Sequence, residues 1–369
     1  MQPRIPAALQ HLPHPYITYP LLFLAATTTT HHLISAVTTL RGPTRGKIMT
    51  VNVKGVQTKL RIIPAGDVDG NGPLVVFVAG MGTNGGSFGP AQRKLKSRLP
   101  NLATVVYDRA GLGWSPPTSG KRDLPALADE LHALLMSSEL HAGSRPLILV
   151  GHSYGGPILE TYRQNYPKTT ITSLILIDPS PTKTFTQLPQ ICHTITKIRT
   201  ITPYLSFLGL PRFLLPPILR LGMFSPKTRY GAALSPLDKK DLSRDMIEFS
   251  NSLASKRESN MLEGCEYIER MKSVRLTNPG TLVTVPHVIV IHGTESKFPK
   301  NLSGIAEEDF QRMAREERYR TGLELSGERE GEWDGFWVDE GGDHLGTVVG
   351  PLVVEAVLEG VQRAGGKVL

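Results

Sequence analysis

The run Leu147-Ile148-Leu149-Val150-Gly151-His152-Ser153-Tyr154-Gly155-Gly156 decides how the rest of the chain is read. Its first half is a continuous apolar stretch, the mark of a strand buried on both faces. Its second half is Gly-x-Ser-x-Gly, and residues 155–166 are patterned as a helix. A serine on a sharp strand-to-helix turn sits in strained backbone, so the residues two positions away must be small. Gly151 and Gly155 meet that requirement around Ser153. The following helix aims its N-terminal amides and dipole at negative charge forming on a bound molecule. The arrangement points to Ser153 as a nucleophile.

Outward from the elbow, apolar strand-like runs at Leu74–Ala79, Ala103–Asp108, Leu147–Gly151 and Ser173–Asp178 alternate with helical stretches at 87–99, 123–138 and 155–166. Such alternation predicts an α/β fold: a mostly parallel sheet with helices on both faces. Upstream, Ile48–Lys54 and Val56–Ile63 straddle Gly55 as a β-hairpin. The pattern lapses over 181–280, where Pro203, Pro211, Pro216 and Pro217 punctuate apolar residues and a polar helical stretch follows. This segment reads as a helical insertion, and Tyr204, Leu205, Phe207, Leu208, Phe213 and Leu214 are expected mainly to form its core. Strand texture resumes at His287–Ile291, followed by a helix at 303–319, a strand at Trp333–Val338 and a last helix at 350–362. The core is therefore 47–180 plus 281–369. Residues 1–46 read as a poorly ordered extension, because Pro3, Pro6, Pro13, Pro15 and Pro20 break any long helix.

Composition narrows the function classes. The chain has 369 residues, of which 40% are hydrophobic and 20% charged, which excludes a disordered protein. Cys192 and Cys265 form neither a disulfide framework nor a zinc-binding spacing. No apolar run approaches the roughly 20 residues needed to cross a bilayer. The formal charge is +8, yet no block of five Lys or Arg occurs, so a solvated mixed surface is expected rather than a nucleic-acid partner. No Asp or Glu precedes Asp67. That basic, hydroxyl-rich start resembles a mitochondrial transit peptide in composition; a cytoplasmic location is the plainer expectation.

A second glycine signature competes with the first. Gly80-Met81-Gly82-Thr83-Asn84-Gly85 is a literal Gly-x-Gly-x-x-Gly after a buried strand, with Asp108 ending the next one. Alone it would suggest a dinucleotide site and an oxidoreductase. Chain order favours the elbow. A serine hydrolase needs its acid and histidine downstream, in the order Ser, acid, His. Asp178 closes the strand after the elbow helix, and His344 sits in Gly341-Gly342-Asp343-His344. The glycine loop then has another task. Met81, through its backbone N–H, and Tyr154, through its own, would form an oxyanion hole.

Five stretches carry a resemblance: Val76–Gly82, Tyr107-Asp108-Arg109-Ala110-Gly111-Leu112-Gly113-Trp114-Ser115, Gly151–Gly156, Ile177-Asp178-Pro179 and Gly342-Asp343-His344. Together they resemble the α/β-hydrolase superfamily, in its DRAGxGWS variant, over residues 48–365 apart from most of the insertion. The resemblance implies Ser153 as nucleophile, His344 as general base and 181–280 as a cap that roofs the pocket. Many members place the acid in a Gly-x-x-Asp loop after the strand that here is Val288–Ile291. This chain reads Gly293-Thr294-Glu295-Ser296 there, with Ser296 in the acid's slot. Two candidates stay open: Asp178, favoured because it needs no shift of the loop, and Glu295. His152, Asp108, Arg109 and Trp114 are expected to be structural, and Asp343 is too close in sequence to orient His344.

The implied activity is hydrolysis of an ester, lactone or thioester of a hydrophobic small molecule through an acyl-enzyme. It requires no metal or organic cofactor. Serine at 153 argues against epoxide hydrolase or dehalogenase chemistry, for which relatives use Asp. A carbon–carbon bond hydrolase or an acyltransferase would share the triad, and a non-catalytic ligand-binding protein could share the fold.

Overall fold

The computed structural model describes residues 15–43, 45–140, 142–248, 261–277, 284–294 and 305–365. A first helix, α1 (Pro15–Arg41), precedes the hairpin β1 (Lys47–Val53) and β2 (Val56–Ala65). Strand and helix then alternate through β3 (Leu74–Val78), α2 (Gly89–Arg98), β4 (Ala103–Asp108), α3 (Leu124–Leu135), β5 (Leu147–His152), α4 (Gly155–Asn165) and β6 (Ile171–Ile177). Among the described residues six helices follow: α5 (Thr182–Gln187), α6 (Pro189–Phe207), α7 (Leu210–Leu221), α8 (Arg229–Ala233), α9 (Pro236–Glu248) and α10 (Met261–Thr277). The chain closes with β7 (Val288–Gly293), α11 (Glu307–Ser326), β8 (Phe336–Asp339) and α12 (Pro351–Arg363).

One sheet holds all eight strands in the order β1-β2-β4-β3-β5-β6-β7-β8. The β1–β2 and β2–β4 pairs are antiparallel, and every other pair is parallel. The continuous apolar runs have a direct cause. Leu74, Val76 and Val78 pack into the core on one face of β3, while Val75 and Phe77 pack into the core on the other. Helices α3, α4 and α11 cover the first face, and α2 and α12 the second. A strand covered on both sides has no polar face to alternate with.

The segment between β6 and β7 is tied to the rest of the fold by ion pairs whose carboxylates are buried. Arg61 on β2 contacts Asp108 at 2.7 Å and Asp241 on α9 at 3.3 Å, all three essentially inaccessible to water. Asp238, also on α9, accepts from Arg45 and Arg93 at 2.6 Å each. Arg229 reaches Asp339 at the end of β8 at 2.9 Å.

Three expectations need correction. Residues 15–41 are helical rather than unstructured. Pro15 opens the helix, where its missing N–H costs nothing, and Pro20 lies near the start, where it removes a single hydrogen bond. Tyr204, Leu205, Phe207 and Leu214 are exposed rather than core, and Leu208 is half-buried; the side chain of Phe213 lies outside the described residues. The segment instead builds its core from Leu219, Phe224, Tyr230, Leu234 and Leu242, and from Phe185, Ile191, Cys192 and Cys265. Finally, β8 starts at Phe336, because Trp333 turns inward and donates its indole N–H to Val288 O at 3.0 Å.

The elbow packs with no spare room. A Cβ on Gly155 would stand 2.3 Å from the carbonyl oxygen of Val78, a backbone atom that cannot swing away. Gly155→Ala is expected to cost about 1–3 kcal/mol. Urea unfolding should show a lower midpoint with an unchanged slope.

Candidate active site

Ser153 stands where β5 hands over to α4, with φ of +52°. Asp178 follows β6 with φ of +43°. Among the described residues, Lys54 in the β1–β2 turn is the one other non-glycine residue with positive φ. Such backbone persists only where neighbours over-determine it. Here they do: Ser153 N donates to Ile177 O at 3.0 Å, and Ser153 O accepts from Gly156 N at 3.0 Å and Ser180 N at 3.1 Å. Asp178 N donates to Ile291 O at 2.7 Å.

Asp178 is fully buried and divides its two oxygens between tasks. Oδ1 accepts from Arg318 on α11 at 2.6 Å and from Gly293 N at 3.3 Å, with His292 Nδ1 at 3.6 Å. Oδ2 faces His344 Nδ1 at 2.5 Å. Burial alone would raise this carboxyl. Arg318, His292 and His344 together outweigh burial and hold it well below the usual carboxylate range. The side chain of His344 is 42% exposed.

His152 supports the same histidine from behind. Its Nε2 lies 2.9 Å from His344 O, and the two rings are 4.7 Å apart. A carbonyl only accepts, so Nε2 carries the proton and Nδ1 is bare. Burial first, and then the nearby His344, push the His152 imidazole down to about 3. Asp343 shapes the turn instead of orienting His344, accepting from Leu345 N at 3.0 Å and Gly346 N at 2.5 Å.

The glycine loop after β3 is pinned by a buried arginine. Arg109 donates to Ala79 O at 2.6 Å and Gly80 O at 3.0 Å. Thr83 N and Thr83 Oγ1 also donate to Gly80 O, at 3.3 and 3.1 Å. In a trans peptide the C=O and N–H point opposite ways. With Gly80 C=O turned toward Arg109, the N–H of Met81 points away from it. The loop lies against the elbow, since a Cβ on Gly80 would be 3.1 Å from Ser153 Cβ. Asp108 is equally occupied: Arg61 holds both its oxygens, and Gly85 N and Trp114 N donate at 2.9 and 3.0 Å. It has no oxygen free for a ribose, which removes the dinucleotide reading of this loop.

The structure thus joins Asp178 to His344 and sets the Met81 loop and Tyr154 beside Ser153. It does not place a hydrogen bond between Ser153 and His344. Ser153 Oγ lies 3.4 Å from Ser180 Oγ. The side chain of Tyr154 is buried and borders a cavity of about 560 Å³ between α3 and α10, which Ser153 and His344 do not line. Glu295 lies outside the described residues. Arg318 is the residue that sequence reasoning missed. A signal existed: Phe310, Ala314, Glu317, Thr321 and Leu325 form the buried stripe of α11, and Arg318 falls beside it, four residues after Ala314.

The chain belongs to the alpha/beta hydrolase family, whose model matches residues 75–349. It is 30% identical over 125 residues to the uncharacterized protein YqjL of Bacillus subtilis (strain 168), a match covering 33% of this chain and 47% of that protein. It is 32% identical over 113 residues to the non-heme chloroperoxidase CPO-A1 of Kitasatospora aureofaciens, covering 30% of this chain and 38% of the relative. The matches thus span less than half the length of either relative. A solved thermophilic esterase from Thermogutta terrifontis shares the fold at 18% identity and a TM-score of 0.54, over 86% of this chain and 99% of that one.

The burial of His152 makes a prediction about acid. Its folded value of about 3 lies below the ordinary imidazole value of 6.5. Between them the unfolded chain binds the extra proton, so stability falls as pH drops from about 6.5 toward 3. His152→Gln removes this contribution. Melting temperature plotted against pH from 7 to 5 should decline less steeply for the variant than for the wild type.

Proposed function

We propose that this chain is a serine hydrolase that cleaves an ester, lactone or thioester of a hydrophobic small molecule through an acyl-enzyme. The observation that carries the reading is the pairing of a strained Ser153, φ +52°, with a His344 held at 2.5 Å by a buried, charged Asp178. Asp178 keeps the proton on Nδ1 of His344, which leaves Nε2 as a base. Rotation of Ser153 away from Ser180 presents its hydroxyl to that base. Catalytic hydrogen bonds are often long before substrate binds. The serine oxygen attacks the carbonyl, His344 passes the proton to the leaving group, and water activated by His344 then releases the acyl group.

The N–H groups of Met81 and Tyr154 would stabilise the oxyanion, at about 3 kcal/mol per donor. The Arg109 bonds that turn Gly80 C=O away support that role for Met81. Helices α5–α10 act as the cap. The Met81 side chain packs against both the sheet core and the cluster of Phe185, Ile191 and Phe310, which favours an apolar substrate.

A fluorophosphonate probe with an aryl-ester assay tests the mechanism. Ser153→Ala should lose labelling altogether; persistent labelling refutes the proposal. Asp178→Asn should lower turnover about 10³–10⁴-fold. Normal labelling of Asp178→Asn alongside loss in Glu295→Gln would transfer the acid's role to Glu295.

Arg318 is proposed as a positioning residue. Arg318→Met leaves a buried carboxylate without its cation, at about 3–5 kcal/mol of stability. The Asp178 carboxyl should then titrate higher. The acid limb of the kcat/KM profile should move up in pH, and Arg318→Lys should restore part of that shift, which a purely structural role would not produce.

A further inference from the structure

Helix α1 is built inside out. Its buried positions are polar: Thr27 and His31 face the protein, with Thr28 and Ser35 half-buried beside them. It is anchored by hydrogen bonds: Arg212 on α7 donates to His31 Nδ1 at 3.0 Å and to Ser35 Oγ at 2.8 Å, and Thr28 Oγ1 donates to Leu208 O at 3.2 Å. Its large apolar residues point outward, among them Tyr16, Tyr19, Leu22, Phe23, Leu33 and Leu40, each at least half exposed. A helix on a water-facing surface has the opposite pattern.

The helices that α1 rests on continue the same surface. On α7, Leu214, Ile218 and Leu221 form an exposed stripe at i, i+4 and i+7. On α6, Ile201, Tyr204 and Leu205 are exposed at i, i+3 and i+4, and Phe207 meets His32 of α1 edge-on at 5.0 Å. Exposed apolar side chains scattered singly are ordinary, but a face shared by three helices is not.

The charge of this surface selects its partner. Its two parts come from distant stretches, residues 1–66 and 179–237. Neither contains a single Asp or Glu, and of their cations Arg41, Lys197, Arg199, Arg212 and Arg220 lie on α1, α6 and α7. The fold brings the two acid-free stretches together at α1 and α7. Arg41, Lys197, Arg220 and Lys227 are exposed on or next to these helices. Exposed apolar and aromatic residues with cations among them, on three helices that themselves carry no Asp or Glu, match the boundary between acyl chains and anionic headgroups. No helix among the described residues is long and apolar enough to cross a membrane, and α1 is interrupted by Thr27-Thr28-Thr29-Thr30-His31-His32.

We propose that α1, α6 and α7 form a docking face for the surface of an anionic lipid bilayer. The proposal is independent of the chemistry at Ser153.

The test is vesicle flotation of the full chain, with phosphatidylcholine vesicles compared against vesicles in which about a third of the lipid is phosphatidylglycerol. The wild type should float with the anionic vesicles, less with the neutral ones, and less at high salt. The triple variant Phe23→Glu, Ile218→Glu, Leu221→Glu places three charges on exposed positions. It should bind at least about tenfold more weakly while keeping the wild-type melting temperature. Absence of wild-type flotation on either vesicle overturns the proposal. So does equal binding by the triple variant. Sedimentation velocity covers the remaining occupant: a stable dimer that the same three substitutions dissociate would assign this face to a second copy of the chain instead.

Discussion

A fully buried carboxylate, Asp178, sets the constraint around which the site is arranged. An unpaired charge at such depth would protonate or unfold its surroundings. The fold prevents both by bringing three elements to one point. The end of β6 supplies the carboxylate, α11 supplies the Arg318 cation, and the end of β7 supplies Gly293 N–H and His292. Because Arg318 and Gly293 N–H occupy Oδ1, with His292 Nδ1 accepting from Arg318 at 2.8 Å, Oδ2 is left to His344. That contact fixes the orientation of the imidazole while Arg318 is engaged at the other oxygen.

The same economy governs the loops around the elbow. Arg109 and Arg61 are both fully buried, and each acts on backbone or carboxylate groups a strand away. Arg109 orients the peptide before Met81. Arg61 neutralises Asp108 and reaches across to Asp241, so the loop after β4 and helix α9 are braced by one guanidinium. The inserted helices are therefore coupled to the loops that flank Ser153 through charge as well as through apolar packing. Arg244 from α9 adds to this by stacking 3.4 Å over Trp114 and donating to Gly113 O.

The elements that could be read from sequence are those with a local cause. β3, β4, β5 and β6 are apolar throughout because both faces are covered, and Gly151-x-Ser153-x-Gly155 announces a turn that few other residues tolerate. Asp178 was legible as a candidate because it ends a strand, and in the structure its carboxylate stands 2.5 Å from His344 Nδ1. Arg318 was illegible without a helix register, since α11 also carries Arg312, Arg315 and Arg320, and only burial distinguishes it. The GxGxxG loop misleads for a related reason: its glycines serve close backbone approach, a demand that a dinucleotide site and this elbow share. Telling them apart required Asp108's partners, which come from β2, 47 positions earlier.

Helix α1 shows how composition and position can disagree until tertiary structure is known. Its prolines and threonine run argue against a helix, and its propensity is poor. It is anchored by hydrogen bonds to α7 and to Leu208 just before it, roughly 180 residues away in sequence. A helix whose buried residues are polar gains little from the hydrophobic effect on its protein side. Its apolar residues lose nothing by staying out only if what lies outside is itself apolar. The acid-free composition of the helix and of its platform follows the same logic, because a carboxylate on that face would be the one charge repelled by an anionic headgroup layer. Two local oddities, an extension without acids and a proline-punctuated insertion with exposed apolar stripes, become one physical feature once the fold sets them side by side.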